Sequence, residues 1–202
     1  MGWLGLDDTD SLNGGCTTEV LFQLLKNLPE YASYSNPRLV RLWPFAQRRT
    51  RGNAAVAVEL TTENEEALLK HLGAWWSQHI VSLKDEIGTS NHSDRTQYPA
   101  DPGMVWISES MNDEAFYKSA VSSEIQLSEL PSVTRHWGGN GRIGATAAIL
   151  WPATHCTYEA IAWREDDSEG PRQLDEEALT LVEDLEDTFL CRNPKLGTSL
   201  LA

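Results

Sequence analysis

Cysteine is scarce in this sequence, and its spacing excludes two classes of small domain. The chain has three cysteines, widely spaced and without a CxxC pair. Disulfide scaffolds and zinc ribbons both need more cysteines at closer spacing. With no secretory leader at the start, the sequence predicts reduced thiols in a cytoplasmic protein. Cys16 is expected to be a small buried residue, since no histidine is paired with it in the sequence.

Basic residues are also few, at 16 against 30 acidic residues, which gives a formal net charge of -14. A surface this acidic repels nucleic acid, so any contact with a polynucleotide requires a local basic patch or a separate module. The apolar runs are too short to cross a bilayer, and no membrane partner is expected. No Walker A pattern occurs, which excludes a P-loop of the usual kind.

Strand-like and helix-like segments alternate along the chain, which is 41% hydrophobic. The predicted strands are Gly2–Leu6, Arg38–Leu42, Asn53–Leu60, Met104–Ile107 and Thr157–Arg164. The predicted helices are Thr17–Lys26, Glu63–His79 with Thr61 or Thr62 as N-cap, Asp113–Ser123, Ile143–Leu150 and Asp175–Glu186. This interleaving predicts an α/β (α+β) fold, a layered mixed sheet with helices, as one domain over residues 1–202.

An acidic loop follows the first predicted strand. Asp7, Asp8 and Asp10 lie within four residues, ahead of Gly14 and Gly15 and a predicted helix. Carboxylates this close repel one another and need either a cation or full solvation. Carboxylate oxygens beside a phosphate suit Mg²⁺, and a glycine turn before a helix binds anions. The loop therefore predicts a Mg²⁺–nucleotide site with the three aspartates as metal ligands; the alternative is that they cap turns and helices.

Two further stretches supply groups that a phosphate site needs. Gln47–Asn53 (QRRTRGN) holds three of the 16 basic residues, Arg48, Arg49 and Arg51. Guanidinium groups bind phosphate bidentately, although a solvated hairpin tip would have the same composition. The second stretch, GGNGRIG, opens a predicted helix and contains Arg142; close helix packing is its alternative explanation. The DPG stretch at 101–103 is predicted to be a turn, with a role in ligand binding as the alternative.

The order of these motifs resembles the isoleucine-tRNA 2-agmatinylcytidine synthetase family. The similar patterns are DDTDSxxGxCTT, PRLVRLxPxxxxRTRGNAAVA, DPGMV and GxGxIGA, between about Leu4 and Asn193. The resemblance implies an unusual kinase-like ATP-binding domain in which the first Thr of Cys-Thr-Thr, Thr17, is phosphorylated. It also implies nucleotide-binding residues in the TRGN loop and in the second glycine stretch. Together with the glycine turn and the basic loop, the expected nucleotide-binding residues are Gly14, Gly15, Arg49, Arg51, Gly52, Asn53, Gly141, Arg142 and Gly144.

The resemblance also implies a reaction. In that family, ATP activates the C2 carbonyl of the wobble cytidine in an isoleucine tRNA, and agmatine then displaces the phosphate. The expected protein is an ATP-dependent ligase of tRNA modification, using ATP and Mg²⁺, with tRNA and agmatine or another amine as partners. Asp7, Asp8, Asp10 and Thr17 are the expected catalytic residues, one aspartate taking the threonine proton.

The sequence departs from that family in two respects. Trp43, Arg49 and Asn140 stand where relatives have Asn, Lys and a basic residue, which puts the RNA substrate in question more than ATP binding. Full-length relatives continue into ferredoxin-like, OB-fold and zinc-ribbon domains that grip the tRNA, so we expect this chain to be a shortened form. Two alternatives stay open: a non-catalytic nucleotide-binding module, and a stand-alone ATP-dependent kinase or ligase acting on a small molecule.

Overall fold

The computed structural model describes residues 1–11, 15–50, 52–87, 97–108, 111 and 113–153. The chain divides into two compact units, Met1–Pro152 and Ala153–Ala202. The predicted strand Thr157–Arg164 and helix Asp175–Glu186 lie outside the described residues. The single domain predicted over residues 1–202 stays a prediction, because the second unit lies almost wholly outside that description.

The first unit contains one sheet of five strands. They are β1 (Gly2–Asp7), β2 (Ala32–Arg41), β3 (Ala54–Thr62), β4 (Gly103–Ile107) and β5 (Arg135–Gly138). The strand order is β2-β3-β1-β4-β5, and every neighbouring pair is antiparallel. The layered α/β (α+β) class is confirmed, with a sheet that is antiparallel in the described strands where we predicted a mixed one.

The strand register places four sequence motifs at one end of this sheet. Asp7 pairs with Gly103, which in turn pairs with Gly138, and Arg41 pairs with Ala54. The ends of β1, β2 and β5 therefore lie beside the starts of β3 and β4. The acidic loop, the basic loop, the DPG turn and the second glycine stretch are all attached to these strand ends.

Four helices cover the sheet: α1 (Thr17–Lys26), α2 (Glu65–His79), α3 (Glu114–Ser122) and α4 (Arg142–Leu150). The bounds of α1 are those predicted. The predicted cap of α2 was wrong, because β3 continues through Thr62 and Asn64 is the N-cap instead. The Asn64 Oδ1 atom accepts a hydrogen bond from the Ala67 N–H at 3.0 Å.

The two faces of the sheet bury separate cores. Helices α1 and α2 cover a core of large side chains, which comprises Leu4, Leu6, Leu21, Leu24, Val56, Val58, Leu60, Leu68, Leu72, Trp75, Trp76, Ile80, Met104 and Trp106. Helices α3 and α4 cover a core that includes Ala55, Ala57, Ala120, Ala145, Ala147 and Ala148. Within the described ranges, no helix is long and apolar enough to cross a membrane.

Helix α4 packs directly on the backbone of β1. A Cβ atom at Gly5 would lie 2.2 Å from the carbonyl oxygen of Ala145, and one at Gly144 would lie 1.8 Å from Asp7 Oδ2. Only glycine fits at these two close approaches. At the other end of α4, the Arg38 guanidinium donates to the carbonyl oxygens of Ile149 at 3.4 Å and Trp151 at 3.1 Å. These donors complement the negative end of the helix dipole.

Two strands differ from the predictions. β2 extends back to Ala32 through a polar run that we expected to be irregular, with a register shift between Ser35 and Arg38. β5 was not predicted, because its four residues (RHWG) carry little apolar alternation. Both lie at the edges of the described sheet, where backbone pairing with an inner strand stabilises a polar segment.

Candidate functional site

A cleft of about 510 Å³ opens at the end of the sheet where the motifs converge. Of the predicted site residues, five line it: Asp7, Asp8, Asn53, Gly141 and Gly144. They come from β1, the basic loop and the start of α4. The cleft therefore brings together three stretches that lie far apart in the sequence.

Asp7 is the last residue of β1, and its side chain points toward α4. The Asp7 Oδ1 atom accepts a hydrogen bond from the Asp8 N–H at 2.7 Å. Burial raises the pKa of Asp7 well above its usual value, and the neighbouring Asp8 charge raises it further. An anionic carboxylate here is costly unless positive charge lies nearby.

Asp8 has a φ angle of 58°, in the left-handed region that few non-glycine residues adopt. Its Oδ2 atom accepts a hydrogen bond from the Asp101 N–H at 2.8 Å. Burial raises the pKa of Asp8 to about 7, although that hydrogen bond opposes the shift. Two adjacent carboxylates with raised pKa values therefore face the same cleft, and both would be stabilised by a cation.

Asp101 connects the DPG turn to the second glycine stretch. Its Oδ2 atom accepts hydrogen bonds from the Asn140 backbone N–H at 2.7 Å and from Asn140 Nδ2 at 2.6 Å. Burial alone would raise the pKa of Asp101, but these hydrogen bonds and the Lys84 ammonium group, 3.7 Å away, hold it below its usual value. The sequence predicted a turn here, with ligand binding as the alternative, and missed this positioning role.

Besides burial, the charge of Asp10 raises the pKa of both Asp7 and Asp8, so the three carboxylates lie near one another. The Asp10 Oδ2 atom accepts a hydrogen bond from Thr50 Oγ1 at 3.0 Å, and Asp10 is not among the described residues that line the cleft. Gly15 packs against Asp10 with a φ angle of 83°, whereas Gly14 lies outside the described residues. Within the part of the chain that the structure describes, no group of three or more His, Cys, Asp or Glu could hold a metal ion. The three-aspartate metal set stays a prediction.

The arginines of the basic loop have different positions. Arg48 lines the cleft, with its guanidinium 4.7 Å from the centre of the Tyr98 ring. Arg49 donates instead to the carbonyl oxygen of Ala46. Arg51 lies outside the described residues, so its role stays a prediction. Arg48 is thus the described arginine of this loop that faces the cleft, and the sequence did not single it out from its neighbours.

The other predicted residues of this loop support its conformation. Asn53 Nδ2 donates to the Trp43 carbonyl oxygen at 2.8 Å, which ties the two ends of the loop together. Gly52 lies beside Arg41, and a Cβ atom there would be 3.2 Å from Arg41 Nη1. Asn53 lines the cleft, whereas Gly52 is not among its described lining residues.

Helix α4 directs its residues to two different sites. Gly141, Ile143 and Gly144 line the cleft, whereas Arg142 lines a second pocket. Arg142 Nε donates to the Gly139 carbonyl oxygen at 3.0 Å. Consecutive helix residues point about 100° apart, so neighbours in the glycine motif need not share a site. A nucleotide-binding role for Arg142 stays a prediction.

Thr17 is the first residue of α1 and is 8% exposed. The N-cap of that helix is Cys16, which is exposed. The prediction that Cys16 is buried was wrong, because a cap residue precedes the first turn and does not lie on the packed face. Cys16 Sγ lies 2.8 Å from Thr18 Oγ1.

The sequence also missed the aromatic and apolar part of the cleft. Trp43 and Tyr98 line it together with Leu42, Ile125 and Ile143. Periodicity could not place Trp43 and Tyr98 in one site because they belong to separate segments. The cleft thus has both charged and apolar, aromatic lining residues.

Comparison with known proteins identifies the family. A family model described as the TiaS TCKD domain matches residues 3–140. The chain belongs to the TiaS family. A second model, the TiaS FLD domain, matches residues 139–199. These matches confirm the resemblance read from the motifs.

Individual relatives agree with the family models. The isoleucine-tRNA 2-agmatinylcytidine synthetase TiaS of Pyrobaculum neutrophilum is 35% identical over 174 residues, which is 83% of this chain and 39% of that relative. The synthetase of the same name from Thermoplasma volcanium is 31% identical over 209 residues, covering 93% of this chain and 46% of the relative. The chain therefore spans less than half the length of these curated relatives.

Solved structures give the same result. The crystal structure of TiaS in complex with its isoleucine tRNA and ATP matches with a TM-score of 0.65 and 28% identity, covering 90% of this chain and 44% of that one. The crystal structure of a tRNA fluorescent labeling enzyme matches with a TM-score of 0.59 and 25% identity, covering 76% of this chain and 36% of that one.

Proposed function

We propose that this chain carries the ATP-binding, phosphoryl-transferring part of an isoleucine-tRNA 2-agmatinylcytidine synthetase, an ATP-dependent ligase of tRNA modification. The observation that carries the proposal is the single cleft shared by Asp7, Asp8, Arg48 and the start of α4. Matched relatives bear that enzyme name, and one solved relative is a complex with an isoleucine tRNA and ATP. A cytoplasmic location and agmatine or another amine as second substrate belong to the same proposal.

Binding of the tRNA requires parts of the enzyme other than this cleft. More than half of each matched relative lies outside the region that this chain covers. With a net charge of -14, the chain by itself would be repelled by the tRNA backbone. We propose that the kinase-like domain ends between residues 140 and 152, where the first family model and the first compact unit end.

The lining of the cleft suggests how a nucleotide is oriented. Asp7, Asp8 and Arg48 provide charge, and Trp43 and Ile125 provide apolar surface. Phosphate needs charge-assisted hydrogen bonds, whereas adenine gains from aromatic and apolar contact. We therefore place the triphosphate beside the aspartates and Arg48, with the base toward Trp43.

The charged residues of the cleft fit a magnesium ion. Asp7 and Asp8 offer hard carboxylate oxygens, and burial raises the pKa of both. Magnesium is held in nucleotide sites by one or two carboxylates together with phosphate oxygens and water. When bound, it supplies positive charge that neutralises the phosphates. Asp7 and Asp8 would hold it, and Asp10, bonded to Thr50, would position the loop.

We propose Thr17 as an acceptor of the γ-phosphoryl group. Its Oγ1 atom would form the new P–O bond as the bond to ADP breaks, with its proton passing to one of Asp7, Asp8 and Asp10. A phosphate at the start of α1 gains from the helix dipole and the first backbone N–H groups. Thr17 is 8% exposed and is not among the described residues that line the cleft, so transfer requires the γ-phosphate to reach it at the start of α1.

Isothermal titration calorimetry tests nucleotide binding directly. We expect ATP to bind in the presence of Mg²⁺ and at least tenfold more weakly without it. Arg48→Glu should weaken Mg²⁺–ATP binding at least tenfold, since it places a like charge beside the phosphates. Lys70→Glu makes the same charge change on the exposed side of α2 and should alter affinity less than about twofold. The proposal would be contradicted if ATP bound neither with Mg²⁺ nor without it.

Mass spectrometry tests the acceptor. Incubation with ATP and Mg²⁺, followed by digestion, should place one phosphate on Thr17. Thr17→Val should abolish the modification, and Thr18→Val should retain it. Phosphate on Thr18 alone would contradict this assignment. A protein that binds ATP but is never phosphorylated would favour the non-catalytic nucleotide-binding module, which the burial of Thr17 also suits.

A further inference from the structure

A second pocket lies on the side of α4 that faces away from the cleft. It has a volume of about 310 Å³ and is lined by Arg142 and Thr146 of α4, by His136 of β5 and by the segment that follows α3. Arg142 and Thr146 are four residues apart, so both side chains lie on one face of the helix. Gly144 and Ile143 line the cleft from other faces of the same helix. We call this cavity the α4 pocket.

The deepest polar group in the α4 pocket is the Thr146 hydroxyl. Thr146 is 0% exposed, and its Oγ1 atom has no hydrogen-bond partner among the described residues. A buried hydroxyl without a partner destabilises the folded protein. Thr146 also lines the pocket, so a bound acceptor atom that reaches its Oγ1 atom would remove that cost. The unsatisfied hydroxyl is therefore an independent indication of a ligand.

The charge of the α4 pocket is positive, in contrast to the net charge of -14 for the whole chain. The Arg142 side chain reaches it, and no carboxylate of a described residue forms an ion pair with Arg142. Burial lowers the pKa of His136, and the positive charges of Arg142 and Arg135 lower it further. None of the described lining residues is acidic. This lining attracts anions and repels amines.

The remaining wall of the α4 pocket is apolar. Leu127, Leu130, Pro131 and Val133 lie opposite the helix, in the segment after α3. At about 310 Å³ the pocket is at the small end of the range for ligand sites. Its shape therefore combines one polar end, rich in hydrogen-bond donors, and one apolar end.

We propose that the α4 pocket binds a small organic oxyanion with an apolar body, such as a carboxylate or a phosphate monoester. Its oxygen atoms accept hydrogen bonds from Thr146 Oγ1 and from the Arg142 guanidinium, which binds such groups bidentately. Its apolar body packs against Leu130 and Val133. This site is separate from the nucleotide cleft and is independent of the proposed function.

NMR titration of the full chain tests this proposal with four probes of one size: benzoate, phenyl phosphate, benzamide and benzylamine. The signals followed are the His136 ring and the Thr146 methyl group, which report on this pocket alone. We expect saturable shifts with benzoate, phenyl phosphate or both, and the tighter of the two identifies the oxyanion. Benzamide should bind at least tenfold more weakly, and benzylamine should not bind. Equal binding of benzamide and both anions would overturn the proposal.

Three variants locate the bound anion. Thr146→Val removes the hydroxyl at constant shape and should weaken binding about threefold to tenfold, whereas Thr146→Ser should retain it. Val133→Trp, at a half-buried position that packs against the core under α4, fills the pocket and should abolish binding. Unchanged affinity in both Thr146→Val and Val133→Trp would overturn the proposal.

Saturating Mg²⁺–ATP separates this site from the nucleotide cleft. It should leave anion binding unchanged, and Thr146→Val should leave ATP affinity unchanged, since Thr146 is not among the described lining residues of the cleft. Displacement of the anion by ATP would place it in the cleft and contradict the α4 pocket. If ATP fails to bind while the anion still binds, the proposed function fails and the α4 pocket stands.

Discussion

The sheet face under α1 and α2 is filled mainly by large side chains such as leucine and tryptophan, whereas the core under α3 and α4 mixes six buried alanines with larger residues and has glycine where α4 meets β1. Large buried side chains remove more apolar surface from water and contribute more stability. Small residues allow closer backbone approach, which brings the start of α4 against Asp7. The comparison indicates that one face stabilises the domain and the other builds the cleft.

The two faces also differ in the free-energy cost of burying charged side chains. The cleft opens on the α4 side, where Asp7 and Asp8 are half-buried and have raised pKa values. Functional sites commonly retain such unfavourable groups, because the ligand that offsets them is absent until binding. Stability and binding should therefore respond differently to substitutions on the two faces.

The largest change in the free energy of unfolding is expected from Leu72→Ala, on the large-residue face. Leu72 is 0% exposed, and truncation of a buried leucine costs about 3–4 kcal/mol. Urea denaturation measures this loss. Calorimetry on the folded protein should show an ATP affinity within about twofold of the original. A tenfold weaker affinity would show that the face under α1 and α2 also determines ATP binding.

Asp8→Asn should change how stability depends on pH, by about 2–3 kcal/mol once solvent screening of this half-buried carboxylate is allowed for. In the unfolded chain Asp8 loses its proton near pH 3.8, whereas in the folded protein it holds the proton up to about pH 7. Unfolding between these values releases a proton, so the cation-free protein should lose stability as pH rises through this window. Asp8→Asn should lack this contribution and should be the more stable protein at pH 8.

Denaturation from pH 3 to pH 8, with EDTA present, measures that difference, and the two proteins should converge near pH 3. The Asn side-chain oxygen can still accept from the Asp101 N–H, so the loop should keep its conformation. Mg²⁺ with ATP at pH 8 should stabilise the original protein more than the variant. A variant that is less stable at every pH would identify Asp8 as a structural cap.

Gly144→Ala should cost about 2 kcal/mol, which is typical of overpacking. The new Cβ atom would lie 1.8 Å from Asp7 Oδ2, so the carboxylate or the helix must move. Because both groups line the cleft, Mg²⁺–ATP affinity should also fall at least tenfold. Thermal denaturation and calorimetry measure the two effects. Unchanged affinity would show that the close approach of α4 is needed for packing only.

The smallest effect is expected from Gly73→Ala, which is the matched control on α2. A Cβ atom at Gly73 would lie 3.4 Å from Trp137 Nε1, an ordinary contact. Alanine is favoured over glycine inside a helix, so stability should rise by up to about 1 kcal/mol. ATP affinity should not change. Destabilisation here would mean that both helices, and not α4 alone, need glycine for close packing.

Local sequence patterns predicted most elements because each depends on neighbouring residues. The apolar spacing of Thr17–Lys26 gave α1 its correct bounds, and short apolar runs indicated three of the strands. The same patterns missed β5 and the first half of β2. Those segments are polar, and the hydrogen bonds that make them strands come from residues distant in the sequence. Periodicity carries no information about such partners.

For the site, the sequence by itself determined which chemical groups are available: adjacent carboxylates, an arginine loop and glycine turns. The tertiary structure decided which of them share a cleft. The register of β1, β4 and β5 placed Asp8 beside Asp101 and Asn140, whereas the turn of α4 directed Arg142 to a different pocket. Such choices depend on strand pairing and helix rotation, which are set by packing across the whole sheet and not by the spacing of residues within a motif.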